Sequence, residues 1–85
     1  MPKSVYSDAN AILVETLIAA RKGTGLFQED VAKHLGKNQS YISNIERGQR
    51  RVDVVEFVAI ARALSLDPVA LFTEVAQRLP RKFEI

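Results

Sequence analysis

Cysteine is absent from the 85 residues, so disulfides, thiolate metal sites and cysteine nucleophiles are excluded together. Histidine occurs once, at His34, which leaves no histidine-based zinc cluster and no Ser-His-Asp triad. No nucleophile–base pair and no metal-ligand spacing stands elsewhere, so the chain is not expected to be an enzyme or to need a cofactor or metal. No apolar run approaches the ~18 residues of a membrane span. The opening Met1-Pro2-Lys3-Ser4 has no apolar signal region. An intracellular, cytoplasmic protein without a membrane segment is the expectation.

What is present fits one small domain over residues 1–85. The hydrophobic share of 47% is too high for a disordered chain. A core this small stabilises only marginally, which favours a second subunit. Net charge is only +2, but its distribution is uneven. Five cations (Lys33, Lys37, Arg47, Arg50, Arg51) face one anion (Glu46) between residues 33 and 51. A local basic surface on a nearly neutral chain attracts polyanions without general stickiness.

Punctuation divides the chain into five short helical stretches, and strand-like alternation is not sustained anywhere. The first runs from about Asp8 to Lys22, with Ser7 or Asp8 as cap and Ile12, Leu13, Leu17 and Ala20 as its stripe. It stops at Gly23-Thr24-Gly25. The second, about Gln28 to Leu35, turns Val31, Ala32 and Leu35 inward and ends at Gly36. The third, about Gln39 to Arg47, has Asn38 as a cap and Ile42 and Ile45 as its buried side. The fourth opens with Asp53 and Glu56 spaced as a capping box and Val52 and Phe57 spaced as a hydrophobic staple. The fifth starts at Asp67-Pro68, with Leu66 and Leu71 as its staple, and ends before Pro80. The core spans about residues 8–79, and the tail over 80–85 is loosely held.

Helices two and three are separated by little more than Gly36-Lys37-Asn38, the spacing of a helix-turn-helix. That geometry lets the second helix enter a major groove while the first crosses the backbone. With Ile42 and Ile45 inward, Gln39, Ser40, Ser43 and Asn44 occupy the outer side of the third helix. All four are uncharged and can hydrogen-bond, and the amides suit bidentate contacts to adenine. Arg47, Arg50 and Arg51 flank them as candidate phosphate ligands.

Gln28-Glu29-Asp30-Val31-Ala32, then Leu35-Gly36, then Gln39-Ser40-Tyr41-Ile42-Ser43-Asn44-Ile45-Glu46-Arg47-Gly48 together resemble the phage-repressor, Cro or Xre-type helix-turn-helix domain. The resemblance covers roughly Leu13 to Phe72. It implies an all-α, five-helix repressor-like domain that binds double-stranded DNA and regulates transcription. By the same resemblance Gln28 clamps a phosphate, and Gln39, Ser40 and Asn44 read bases. Tyr41 and Ser43 either read bases or touch the backbone. Arg47, Arg50 and Arg51 lie over the sugar-phosphate chain. Glu46 pairs with Arg21 on the first helix, holding the recognition helix in place. Glu29 and Asp30 suit the positive end of the second helix, and relatives of this type also use such positions to touch RNA polymerase. The chain departs from the family at Phe27, where a Thr or Ser cap is usual, and at Val52, where proline is common.

Val75, Ala76 and Leu79 extend the apolar stripe of the fifth helix beyond the family's minimal domain, and are expected to form an isologous dimer seam. A dimer would set two recognition helices about 34–36 Å apart on a pseudo-palindromic operator. The rival class is a helix-turn-helix-shaped protein-interaction module, or an antitoxin-type partner, without operator recognition of its own.

Overall fold

The computed structural model describes residues 8–85, so the cap expected at Ser7 or Asp8 lies partly outside the described residues. Within them the order is α1 (Asp8–Thr24), α2 (Gln28–His34), α3 (Gln39–Glu46), α4 (Val54–Ala63) and α5 (Pro68–Arg78). None of these helices is long and apolar enough to cross a membrane.

The helix ends follow local chemistry. At the start of α4 the Glu56 N–H donates to Asp53 Oδ1 at 2.7 Å, and the Asp53 N–H donates to Glu56 Oε1 at 3.0 Å. Both halves of the capping box are therefore made. At α5 the Val69 N–H donates to Asp67 Oδ1 at 3.3 Å, with Pro68 in the first turn. Phe27 precedes α2 in extended conformation but has no side-chain oxygen to offer. Only the reciprocal half of a box is present there, the Phe27 N–H donating to Asp30 Oδ2 at 2.8 Å. Asp30 is thus occupied in closing the helix start. Asn38 stands at the expected cap of α3, but its side chain does not bond the helix backbone. Its oxygen accepts instead from the Ser40 hydroxyl.

The tight turn between α2 and α3 depends on Gly36, which sits at φ +69°. The Gly36 N–H donates to Lys33 O at 3.1 Å and the Lys37 N–H to Ala32 O at 2.9 Å. This paired closure requires a left-handed residue, which glycine adopts without a Cβ penalty. The end of α4 uses the same closure with Ser65 at φ 59°. No glycine marks that stop in the sequence.

All five helices wrap one core of Leu17, Val31, Ala32, Ile42, Ile45, Phe57, Ile60, Ala61, Ala63, Leu64, Leu71 and Val75. Ile45 and Val31 are almost fully enclosed. Burying each such side chain contributes about 1.5–3 kcal/mol, so the inner edge of α3 is pinned and its outer edge is fixed by default.

The expected seam on α5 is corrected here. Val75 is buried in the chain's own core, and Leu79 packs against that core. The reason is that α5 folds back on α1, so the Leu71, Val75 and Leu79 stripe is consumed within one chain. Ala76 does stay exposed. Phe72 is 56% exposed and meets Phe57 edge-on at 5.9 Å between ring centroids. The outer stripe of α5 is therefore Val69, Phe72 and Ala76.

Candidate nucleic-acid interface

The outward edge of α3 carries the four side chains anticipated for base reading. Gln39 and Ser40 are exposed, and Ser43 and Asn44 are half-exposed. Their direction follows from Ile42 and Ile45, which occupy the opposite edge in the core.

A polar relay crosses from α1 to this edge. Arg21 donates through Nε to Glu46 Oε2 at 2.6 Å and through an Nη to Glu46 Oε1 at 3.0 Å. Its other terminal nitrogen donates to Leu26 O at 2.8 Å. The Gln28 amide donates to Glu46 Oε1 at 2.9 Å, and the Gln39 amide donates to Gln28 Oε1 at 3.1 Å. The Glu46 hydrogen bond holds the Arg21 pKa above its ordinary value. Glu46 is the sole carboxylate in the basic segment, and this contact neutralises it away from the reading edge. The relay also orients Gln28 and Gln39. An amide has two donor hydrogens and one acceptor oxygen, so one or two internal bonds still leave capacity for a ligand.

Asn44 Oδ1 accepts from an Arg47 Nη at 2.7 Å. The expected base reader and the expected phosphate ligand thus position each other across one turn of helix.

Tyr41 and Arg50 have a shared internal partner that the sequence does not announce. The Tyr41 hydroxyl donates to Glu56 Oε2 at 2.7 Å. An Arg50 Nη pairs with the same oxygen at 2.8 Å. The Arg50 guanidinium also lies 4.8 Å from the Tyr41 ring centroid, and Lys37 Nζ lies 5.4 Å from it. Tyr41 thus gives its hydroxyl hydrogen to Glu56, while Arg50 gives one Nη to Glu56 and the other to Arg51 O at 3.0 Å. Burial, and then the hydrogen bond to Glu56, pushes the Tyr41 phenol up to about 12. The Arg50 hydrogen bond, followed by the Asp53 backbone N–H, holds Glu56 down at about 2. Glu56 is the residue beside the candidate interface that the sequence left unmarked, in contact with Tyr41 and Arg50. Its spacing from Asp53 already explained it as a cap, and that explanation hid its second oxygen.

Arg51 is exposed beside these groups, and His34 is exposed at the far end of α2. Phe27 is 71% exposed next to Gln28.

A recognition helix with an amide and hydroxyl edge, held on a tight turn and flanked by cations, defines a helix-turn-helix DNA-binding protein. Comparison with known proteins narrows the class. The helix-turn-helix family profile matches residues 17–71. A transcriptional regulator of Sinorhizobium fredii, y4dJ, is 33% identical over 66 residues, covering 78% of this chain and 86% of the relative. An XRE-family like protein from Pseudomonas syringae superposes with a TM-score of 0.78 at 35% identity, covering 85% of this chain and 88% of the other. The restriction-modification controller protein C.AhdI from Aeromonas hydrophila is 40% identical, with a TM-score of 0.64, over 76% of this chain and 99% of its own. The chain belongs to the Xre-type helix-turn-helix family of DNA-binding transcription regulators.

Proposed function

We propose that this regulator acts in the cytoplasm as a homodimer on a pseudo-palindromic operator, without catalysing a reaction. Each copy seats α3 in a major groove. Gln39, Ser40, Ser43 and Asn44 read base edges, while Gln28, Arg47 and Arg51 hold phosphates. One observation carries this reading: the outer edge of α3 offers four uncharged hydrogen-bonding side chains while the nearby carboxylate is tied to Arg21. A solvent-facing helix of this length more often carries carboxylates and lysines there.

The dimer seam is assigned to the outer stripe of α5. Val69 is 73% exposed and Phe72 56% exposed, and Phe72 shares a groove with Val54 at the start of α4. Such apolar exposure on one side of a small domain favours a second copy. The likeness to a restriction-modification controller supports a role in gene control over a role confined to partner binding.

Selection of bound duplexes from a random pool tests both parts. The expected product is a motif of two inverted half-sites about one helical turn apart. A pool with no recovered motif overturns base reading. A motif with one half-site only overturns the dimer.

A further inference from the structure

We propose that Glu56 is a positioning residue that restrains DNA affinity, by occupying Arg50 and Tyr41 at the mouth of the interface. The inference rests on the DNA-binding reading above and deepens it.

Glu56 makes three separate contacts with two oxygens. Oε1 accepts the Asp53 N–H that starts α4. Oε2 accepts the Tyr41 hydroxyl and faces the Arg50 guanidinium. Tyr41 belongs to the recognition helix, Arg50 to the loop that follows it, and Glu56 to the next helix. One carboxylate therefore ties three consecutive elements together at the edge where phosphates must pass. A carboxylate is the closest protein counterpart of a phosphate for a guanidinium. While Arg50 is paired with Glu56, the local net charge is reduced by one, and the guanidinium is held over the Tyr41 ring. An incoming phosphate can use only the Arg50 donors that Glu56 and Arg51 O leave over, the latter accepting from the other Nη at 3.0 Å, and it does so beside a carboxylate. Both effects weaken binding to every sequence equally, because neither touches a base.

The arrangement separates the three arginines that composition places together. Arg47 is coupled to the base reader Asn44 and Arg50 to Glu56, so their contributions to salt-dependent affinity differ.

The test compares the full chain with Glu56→Gln and Arg50→Ala in binding to the selected duplex and to a random duplex across a salt series. Glutamine is accepted at this position of a capping box, so α4 keeps its start while the charge is lost. Glu56→Gln is expected to bind both duplexes more tightly, with log K falling more steeply by about 0.9 per unit of log salt, the signature of one added phosphate contact. The gain should then shrink about threefold between roughly 50 and 200 mM salt. Arg50→Ala alone should leave the slope nearly unchanged, and in the Glu56→Gln background it should remove the extra slope. If Arg50→Ala in the parent flattens the slope by about 0.9, Arg50 already grips phosphate and the inference is overturned. That arm does not depend on whether Glu56→Gln folds. A folded Glu56→Gln with parental affinity and slope also overturns it. If the parent binds neither duplex, the DNA interface itself fails, an outcome distinct from both.

Discussion

Arg21 on α1 closes a two-pronged contact on Glu46 at the end of α3, with nitrogen–oxygen distances of 2.6 and 3.0 Å. The two side chains are 11% and 9% exposed, so the pair lies mostly under the surface. It fixes the far end of the recognition helix to the longest helix of the fold. It also removes the one acid of the basic segment from the reading edge.

Truncating one partner should therefore be costly. Arg21→Ala leaves the Glu46 carboxylate facing Gln28 without a countercharge. A fully buried pair broken in this way loses about 3–5 kcal/mol. Here Gln28 and Gln39 open the site to water, so a loss of about 2–3 kcal/mol is expected. The midpoint of urea unfolding measures it. A change under about 0.5 kcal/mol would mean that solvent already satisfies Glu46.

The Asn44–Arg47 contact makes a different prediction. Asn44→Ala should relax sequence preference at one operator position and cost about 1–3 kcal/mol there. Arg47→Ala should weaken all sequences and reduce the salt slope by about 0.9. Competition titrations with single-base operator variants separate the two effects. An unchanged ranking of variants in Asn44→Ala removes Asn44 from the reading set.

The Tyr41–Glu56–Arg50 cluster ties stability to pH at both extremes. Glu56 is held down at about 2 from an ordinary 4.5, chiefly by the Arg50 hydrogen bond. Its contribution is present above the ordinary value and is lost as pH falls toward about 2. Tyr41 is pushed from 10.0 up to about 12, so its contribution is present below 10.0 and is lost as pH rises through that window. Since Glu56 and Arg50 are partly open to solvent, screening keeps the acid limb small. Thermal melts of the parent and Glu56→Gln should converge as pH drops below 4.5. Tyrosinate absorbance in a Tyr6→Phe background should place the Tyr41 transition well above that of free tyrosine.

At Phe27 the chain lacks a cap that one substitution can supply. The backbone there is extended, at φ −88° and ψ 165°, as a capping residue requires. Phe27→Ser should add the missing acceptor for the α2 backbone and stabilise by about 1 kcal/mol, or about 4–8 °C in Tm. Little packing is lost, because the ring is 71% exposed. A lower melting temperature in Phe27→Ser would show that the ring packs more than its exposure suggests.

Much of this fold is legible along the chain, because caps and staples are local. Asp53 with Glu56 and Asp67 with Pro68 announce their helices within four residues. Ile42 and Ile45 orient α3 by spacing alone. The ion pair between Arg21 and Glu46 was reached through family resemblance, since nothing in a 25-residue separation marks two residues as neighbours. The Glu56 hub stayed hidden for the same reason, its partners lying 15 and 6 positions away on different elements. The end of α4 carries no glycine to flag the left-handed Ser65. On α5, two apolar stripes one residue apart have equal claim to the core, and only the docking of α5 on α1 selects Leu71, Val75 and Leu79.

That selection yields the last prediction, which separates folding from assembly on one helix. Val75 is 6% exposed and faces the core, so Val75→Ala should destabilise the chain without creating a new surface charge. The loss should be about 1–3 kcal/mol, scaling with the cavity left behind. Val69 is 73% exposed on the outer stripe, so Val69→Glu removes little buried area within one chain. In a symmetric seam, however, each glutamate lies near its copy or near the partner's Phe72, and desolvating it is costly. Sedimentation at micromolar concentration should therefore show the Val69→Glu chain as a monomer with nearly parental unfolding. Val75→Ala should remain dimeric wherever it is folded. On the proposed dimer, operator binding couples two half-sites, so Val69→Glu should also lose affinity for the inverted repeat while keeping that for a single half-site. A Val69→Glu chain that sediments as a dimer places the seam elsewhere than on the outer face of α5.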